Sequence, residues 1–197
     1  MDKSPYKDNY ISQFDNLIVI IKTANQKMIA EPRDSFIYEN ANFFSKSFLV
    51  VMCAYLESYL KDVLMLVVDQ MNIRLKENRI PYNLVKWSLN LEKELKDGDL
   101  KFENLKISIK RKELDDFISG NPYKTKTLFK KFGIDLESDK VFNRQKENIN
   151  LIVVKRNKVL HHNDDASDIS NLDIIRYIEE IRNYLENIDL LVCKHIA

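Results

Sequence analysis

Three glycines and four prolines are all that interrupt 197 residues, and that shortage limits the fold more than any other feature. Average use runs near 7% Gly and 5% Pro. Tight turns between short strands depend on both, Gly because it accepts positive φ and Pro because its φ is preset. A chain this poor in them makes few, long elements, which favours helices over a sandwich of short strands. The length suits one hydrophobic core rather than two domains. With 45% hydrophobic and 31% charged residues, the composition is globular and not disordered.

The apolar spacing identifies four main helices. From about Tyr6 to Met28, Tyr10, Phe14, Leu17, Ile18 and Ile21 recur at three- and four-residue steps, one stripe of an amphipathic helix. Glu31-Pro32 breaks it, because proline disfavours helix in the residue before it. A longer helix is predicted from Asp34 or Ser35 to Asn78. Its middle, Phe48 to Val68, is apolar on nearly every face, as befits the centre of a bundle. A third helix starts at Ser138 or Asp139, both good N-caps, and carries Phe142, Ile149, Ile152, Val153, Val159 and Leu160 inward. A polar loop over 163–167 follows. Ser170 then caps a fourth helix, with a stripe of Leu172, Ile175, Ile178, Ile181, Leu185, Ile188 and Val192.

Residues 81–137 are less regular and are taken as an insertion. A short helix is predicted over Trp87, Leu89, Leu91 and Leu95, ended by Lys96-Asp97-Gly98, with helical turns near 112–118 and 127–132. Phe102, Leu105, Ile107 and Ile109 suit extended or irregular chain. Gly120-Asn121-Pro122 and Gly133 punctuate the segment. The expected architecture is all-α: an up-and-down bundle of four main helices with a mostly helical insertion at about 81–137, forming a single domain over 1–197.

Thirty-one basic and 30 acidic residues leave a net charge of +1, so no global field draws the chain to nucleic acid or membrane. The N-terminus lacks the apolar run of a signal peptide. The longest apolar run falls short of a membrane span, so a cytoplasmic protein is expected. Cys53 and Cys193 sit among apolar residues, as buried free thiols do in a reducing compartment. Gly-rich phosphate loops, Gly-x-Ser-x-Gly and Cys-x-x-Cys are all missing, which removes the common nucleotide-binding and nucleophile motifs.

Two charges break the apolar pattern. Along the third helix the stripe runs Ile149, Ile152, Val153, then Arg156, then Val159. Along the second, Glu57 interrupts its most hydrophobic stretch. A guanidinium cannot be neutralised, so turning one inward is costly unless partners satisfy it. Either the two charges pair or snorkel to water, or Arg156 faces a groove that receives a phosphate. Asn157 follows Arg156, and His161 and His162 come at the end of the same helix. At about 3.6 residues per turn, Arg156 and His161 lie roughly 140° apart. One helix therefore does not aim both at one phosphate, whereas two copies related by a two-fold axis can.

Arg156-Asn157-x-x-x-His161 at the end of the third helix resembles the Arg-x(4–6)-His motif of HEPN domains. The second helix, with Leu49-Val50-Val51-Met52-Cys53-Ala54-Tyr55-Leu56-Glu57, is similar to that of the RiboL-PSP and MAE-type HEPN branches, which carry an acidic residue there. The resemblance covers roughly 1–80 and 138–197. It implies a metal-independent endoribonuclease, without cofactor, that cuts RNA by attack of the 2′-hydroxyl on the adjacent phosphate. It further implies a homodimer with its cleft on the two-fold axis, acting as the toxin or effector of a toxin–antitoxin or anti-phage pair, with an antitoxin or defence-system partner. The alternative within the family is a catalytically silent module that binds nucleotides or proteins. On this resemblance His161 is the base or acid, Arg156 the phosphate ligand and Asn157 an orienting group. Glu57 holds Arg156 or a histidine tautomer, and His162 is a weaker support.

A metal site built from His161, His162, Asp164 and Asp165 is disfavoured, since adjacent histidines point apart and no third lies near. Within the insertion, Lys106, Lys110, Arg111, Lys112, Lys124, Lys126, Lys130 and Lys131 alternate with Tyr123, Phe129 and Phe132. This mixture suits either an RNA backbone with a stacked base or a solvated helix face.

Overall fold

The computed structural model describes residues 2–91, 96–161 and 169–197, with only the backbone of Asp99 and His161. Seven α-helices are present among them: α1 Lys7–Ile29, α2 Ser35–Glu39, α3 Ala41–Asn78, α4 Tyr82–Ser88, α5 Pro122–Lys131, α6 Lys140–His161 and α7 Asn171–Ile196. No strand occurs in the described residues; a single bridge joins Pro81 to Asn104.

α1, α3, α6 and α7 form an up-and-down bundle, and named contacts fix the direction of each. Tyr10 stacks edge-on against Tyr59 and Phe14 against Tyr55, so α1 and α3 run antiparallel. Ser4 donates its backbone N–H to Asp189, whereas Asn171 meets Met28, so α1 and α7 are antiparallel too. Asp139, just before α6, accepts from Asn187 near the far end of α7, which sets α6 against α7. α3 lies parallel to α7 across the diagonal, its Arg74 reaching the carbonyl of Ile196.

At about 1.5 Å per residue, the 38 residues of α3 run about 57 Å. Its fully buried residues include Leu49, Met52, Leu56, Leu60, Val63 and Leu64, so the helix is enclosed on most sides. Each such side chain contributes about 1.5–3 kcal/mol on burial. One carboxylate, Asp189, is fully enclosed in this core. It accepts from the Ser4 N–H at 3.1 Å and the Tyr59 hydroxyl at 2.8 Å, the compensation that a buried charge requires.

The predicted second helix is interrupted. Asp34 caps α2, accepting from Ile37 N–H. At Asn40 the backbone then leaves helical geometry, while its side-chain amide donates to the Phe36 carbonyl. Asparagine competes for backbone groups in this way, and α3 starts afresh at Ala41. The other predicted caps are present. Asp139 accepts from the Phe142 N–H at 2.6 Å, and Ser170 forms a reciprocal capping box with Asp173.

Leu160 and Leu172, expected in the core, are instead exposed. Each lies in a terminal turn of its helix, Leu160 at the end of α6 and Leu172 at the start of α7, where the core no longer covers the stripe. The loop predicted at 163–167 lies outside the described residues.

Between α3 and α6 the chain is partly extended. Tyr82 N–H bonds the Glu103 carbonyl and Leu105 N–H the Ile80 carbonyl, pinning residues 103–105 beside α4. From Leu105 to Lys110 half-buried and exposed residues alternate, as they do along a strand. The partner is one side chain: Asn72 of α3 both donates to and accepts from the backbone of Ile107. A 3-10 turn over Arg111–Leu114 follows. α5 begins earlier than predicted, because Asn121 caps it, accepting from the N–H groups of Tyr123 and Lys124. Leu114, Ile118, Leu128, Phe129, Ile134 and Leu136 join the bundle core.

No helix among the described residues is long and apolar enough to cross a membrane. Cys53 and Cys193 are free and buried.

Candidate functional site

Arg156 reaches from α6 across to α3, where its Nη2 pairs with Glu57 Oε1. The pairing that the pattern left open is present. Only 14% of the Arg156 side chain and 21% of the Glu57 side chain remain exposed, so this is an enclosed pair and not a surface one. Arg156 Nη1 also donates to Asn157 Oδ1 at 3.0 Å. Arg156 Nε is buried and has no hydrogen-bond partner among the described residues. The guanidinium thus has one nitrogen on a carboxylate, one on an amide oxygen, and Nε without a partner among the described residues.

α3 supplies the surroundings at one-turn intervals. Cys53, one turn before Glu57, is fully buried. Burial pushes its thiol up to about 12, against the opposing pull of Arg156, so it stays protonated and is no nucleophile at neutral pH. Burial likewise raises the Glu57 carboxyl, opposed by the charges of Arg156 and Lys61. Lys61, one turn after Glu57, pairs with Asp115 at 2.5 Å.

The segment before α5 closes over this pair. Gly120, at φ +67°, comes so near that a Cβ there would stand 3.6 Å from Glu57 Cγ and 3.4 Å from Val153 Cγ2. Next to it Asn121 donates its side-chain amide to Asn150 Oδ1 on α6 at 3.0 Å. Sequence reasoning took Gly120-Asn121-Pro122 as punctuation and missed that it roofs Glu57. A glycine followed by an asparagine able to cap a helix was the signal available.

Of the predicted site residues, the structure brings together Glu57, Arg156 and Asn157. His161 closes α6, but its side chain, like all of His162, lies outside the described residues. Part of the insertion's basic charge is already neutralised: Arg111 pairs with Asp62 at 2.8 Å and Lys126 with Glu137 at 2.6 Å. Asp62 also accepts from the Tyr10 hydroxyl at 2.6 Å.

An all-α up-and-down bundle is the architecture expected of a HEPN domain. The RiboL-PSP-HEPN family profile matches residues 8–194, and the chain belongs to that family. The match runs through 81–137, the segment for which the sequence resemblance offered no counterpart. The chain matches no curated protein and no solved structure.

Proposed function

We propose that the protein is a metal-independent endoribonuclease whose site is built on Arg156, Asn157 and His161. The observation that carries this reading is the enclosed Arg156, held between Glu57 and Asn157 on the helix that ends in His161. In the reaction, the ribose 2′-hydroxyl attacks the adjacent phosphorus and the bond to the 5′-oxygen breaks. The products are a 2′,3′-cyclic phosphate and a 5′-hydroxyl. One imidazole takes the 2′ proton and a protonated imidazole supplies one to the leaving oxygen, roles that fit a histidine near neutral pH. Arg156 stabilises the charge that grows on the phosphoryl oxygens.

Arg156 and His161 lie roughly 140° apart around α6, so the reading includes a homodimer in which each phosphate meets groups from two copies. The exposed Leu160, next to His161 in the chain, offers apolar surface for that second copy. A toxin or defence effector held in check by a partner is the biological role that fits such an activity. Incubating the protein with tRNA in EDTA tests the chemistry. Wild type is expected to leave 2′,3′-cyclic phosphate ends, and Arg156→Ala and His161→Ala are expected to leave the RNA intact. Cleavage that survives both substitutions refutes the site.

A second reading is a silent binding module. It is favoured by the fact that Arg156 is already engaged by Glu57 and Asn157, so a phosphate must compete for it. An intact RNA with every variant, wild type included, supports this reading.

A further inference from the structure

α6 carries charge on a second face. Between α6 and α7 lies a groove of about 400 Å³, within the range of roughly 300–1,000 Å³ typical of ligand sites. Lys155 and Lys158 line it from α6, and Arg176, Tyr177 and Glu180 from α7, with the buried Ile152 beneath and the exposed Leu151 at its edge. Lys155, Lys158 and Arg176 meet two carboxylates here, Glu180 in the groove and Asp173 beside Arg176. The Arg176 guanidinium sits 5.6 Å from the centre of the Tyr177 ring. Its ion pair with Asp173, at 3.2 Å, is a surface one with 64% of the arginine side chain exposed, which a phosphate can displace.

A cationic groove containing an aromatic ring is the arrangement that grips single-stranded nucleic acid, the charges following the backbone and the ring taking a base. Lys155 and Lys158 immediately flank Arg156 and Asn157 in the chain. A strand lying in the groove therefore needs only to cross the last turns of α6 to reach the motif. The basic cluster of the insertion, in which Arg111 and Lys126 are paired with carboxylates, is the rival surface.

We propose that the α6/α7 groove is the track for single-stranded RNA, with Lys155, Lys158 and Arg176 on successive phosphates and Tyr177 stacking a base. The inference rests on the ribonuclease reading for its biological sense, but its test does not need cleavage. A fluorescent 12-nucleotide RNA methylated at every 2′-oxygen cannot be cut by 2′-hydroxyl attack. Its binding to the full chain is followed by anisotropy at several salt concentrations.

Lys155→Gln/Lys158→Gln/Arg176→Gln is expected to bind about tenfold or more weakly near 0.15 M salt. Its slope of log affinity against log salt should be shallower by ~2, at ~0.7 for each lost phosphate contact on a single strand. Tyr177→Leu should weaken binding while leaving the salt slope unchanged. Lys124→Gln/Lys126→Gln/Lys130→Gln, which changes the insertion instead, should bind as wild type does. Circular dichroism melts establish that the variants are folded.

Wild-type affinity in the groove variant overturns the proposal, as does an equal loss in the insertion variant. Tighter binding of polyglutamate of matched charge than of the RNA also overturns it, since that result makes the groove a site for acidic protein. Tight binding of the methylated RNA with no cleavage of ordinary RNA refutes the nuclease and leaves the groove. Cleavage with an unaltered groove variant does the reverse.

Discussion

The two ends of the Arg156–Glu57 pair should fail differently when the partner is removed. In Arg156→Ala, a carboxylate is left in a site where only 21% of its side chain is exposed. In Glu57→Ala, a guanidinium is left with 14% exposed. Breaking a fully buried pair costs about 3–5 kcal/mol and a surface pair about 0–1. These exposures put the loss near 3 kcal/mol for either variant at pH 7.5. At about 2–4 °C per kcal/mol for a chain of this size, the melting temperature falls by about 6–12 °C.

The difference lies in the escape route. Glu57 can accept a proton, and burial already raises its carboxyl in the presence of Arg156; without the arginine it rises further. Between the unfolded value of about 4.3 and the raised folded value, the native state binds more protons than the unfolded chain. Stability of Arg156→Ala therefore falls as pH rises through that window, and returns as pH drops toward 5. Arginine has no such route, so the Glu57→Ala loss stays flat over the same range. Urea melts at pH 5.0 and 7.5, at one protein concentration and referenced to wild type, measure both. The double variant should recover about 2 kcal/mol relative to the sum of the single losses. Equal pH dependence in the two single variants, or losses under about 0.5 kcal/mol, would refute the reasoning.

Three further outcomes follow from local geometry. Gly120→Ala places a Cβ at φ +67°, where nearby atoms are at ordinary contact distance, so its cost is backbone strain of about 1–2 kcal/mol; a variant as stable as wild type in denaturant melts contradicts this. Asp189→Leu strands the Ser4 N–H and the Tyr59 hydroxyl in the core and should cost about 2–3 kcal/mol by the same measurement. The Asp139 carboxyl is held low: burial raises it, but the bonds from the Phe142 N–H and the Asn187 amide outweigh that. Its cap is therefore present above the unfolded value of about 3.9 and lost as pH falls through the lower folded one. Asp139→Ala should cost about 1 kcal/mol at pH 7, and the gap to wild type should close in strongly acidic melts.

The bundle was legible because its signals are local. Tyr10, Phe14, Leu17, Ile18 and Ile21 repeat with the helical period and are all buried, and Ser170 caps where its type and position suggest. The pattern ran too far at Leu160 and Leu172, because periodicity says which way a residue faces but not where the covering neighbour stops. It missed the break at Asn40, where a side chain competes with the helix ladder over one turn.

Arg156 and Glu57 stood out as charges in apolar stripes, although pattern alone left their pairing open. The groove on the other face of α6 escaped notice because Lys155 and Arg176 come to line one groove only when α6 and α7 pack. The same limit hid Gly120 from Glu57 and Asn72 from Ile107. Each of these meetings depends on how a segment folds back over α3, and no short-range spacing encodes that.

The Gly120 roof gives the segment between α3 and α6 a mechanical hold on the ion pair. The same backbone that covers Glu57 is tied to α6 through Asn121 and Asn150. Pulling that backbone away would open Glu57 to water and loosen its grip on Arg156. A molecule that touches neither charge can therefore loosen their pair, by seizing the chain one residue from the carboxylate's cover.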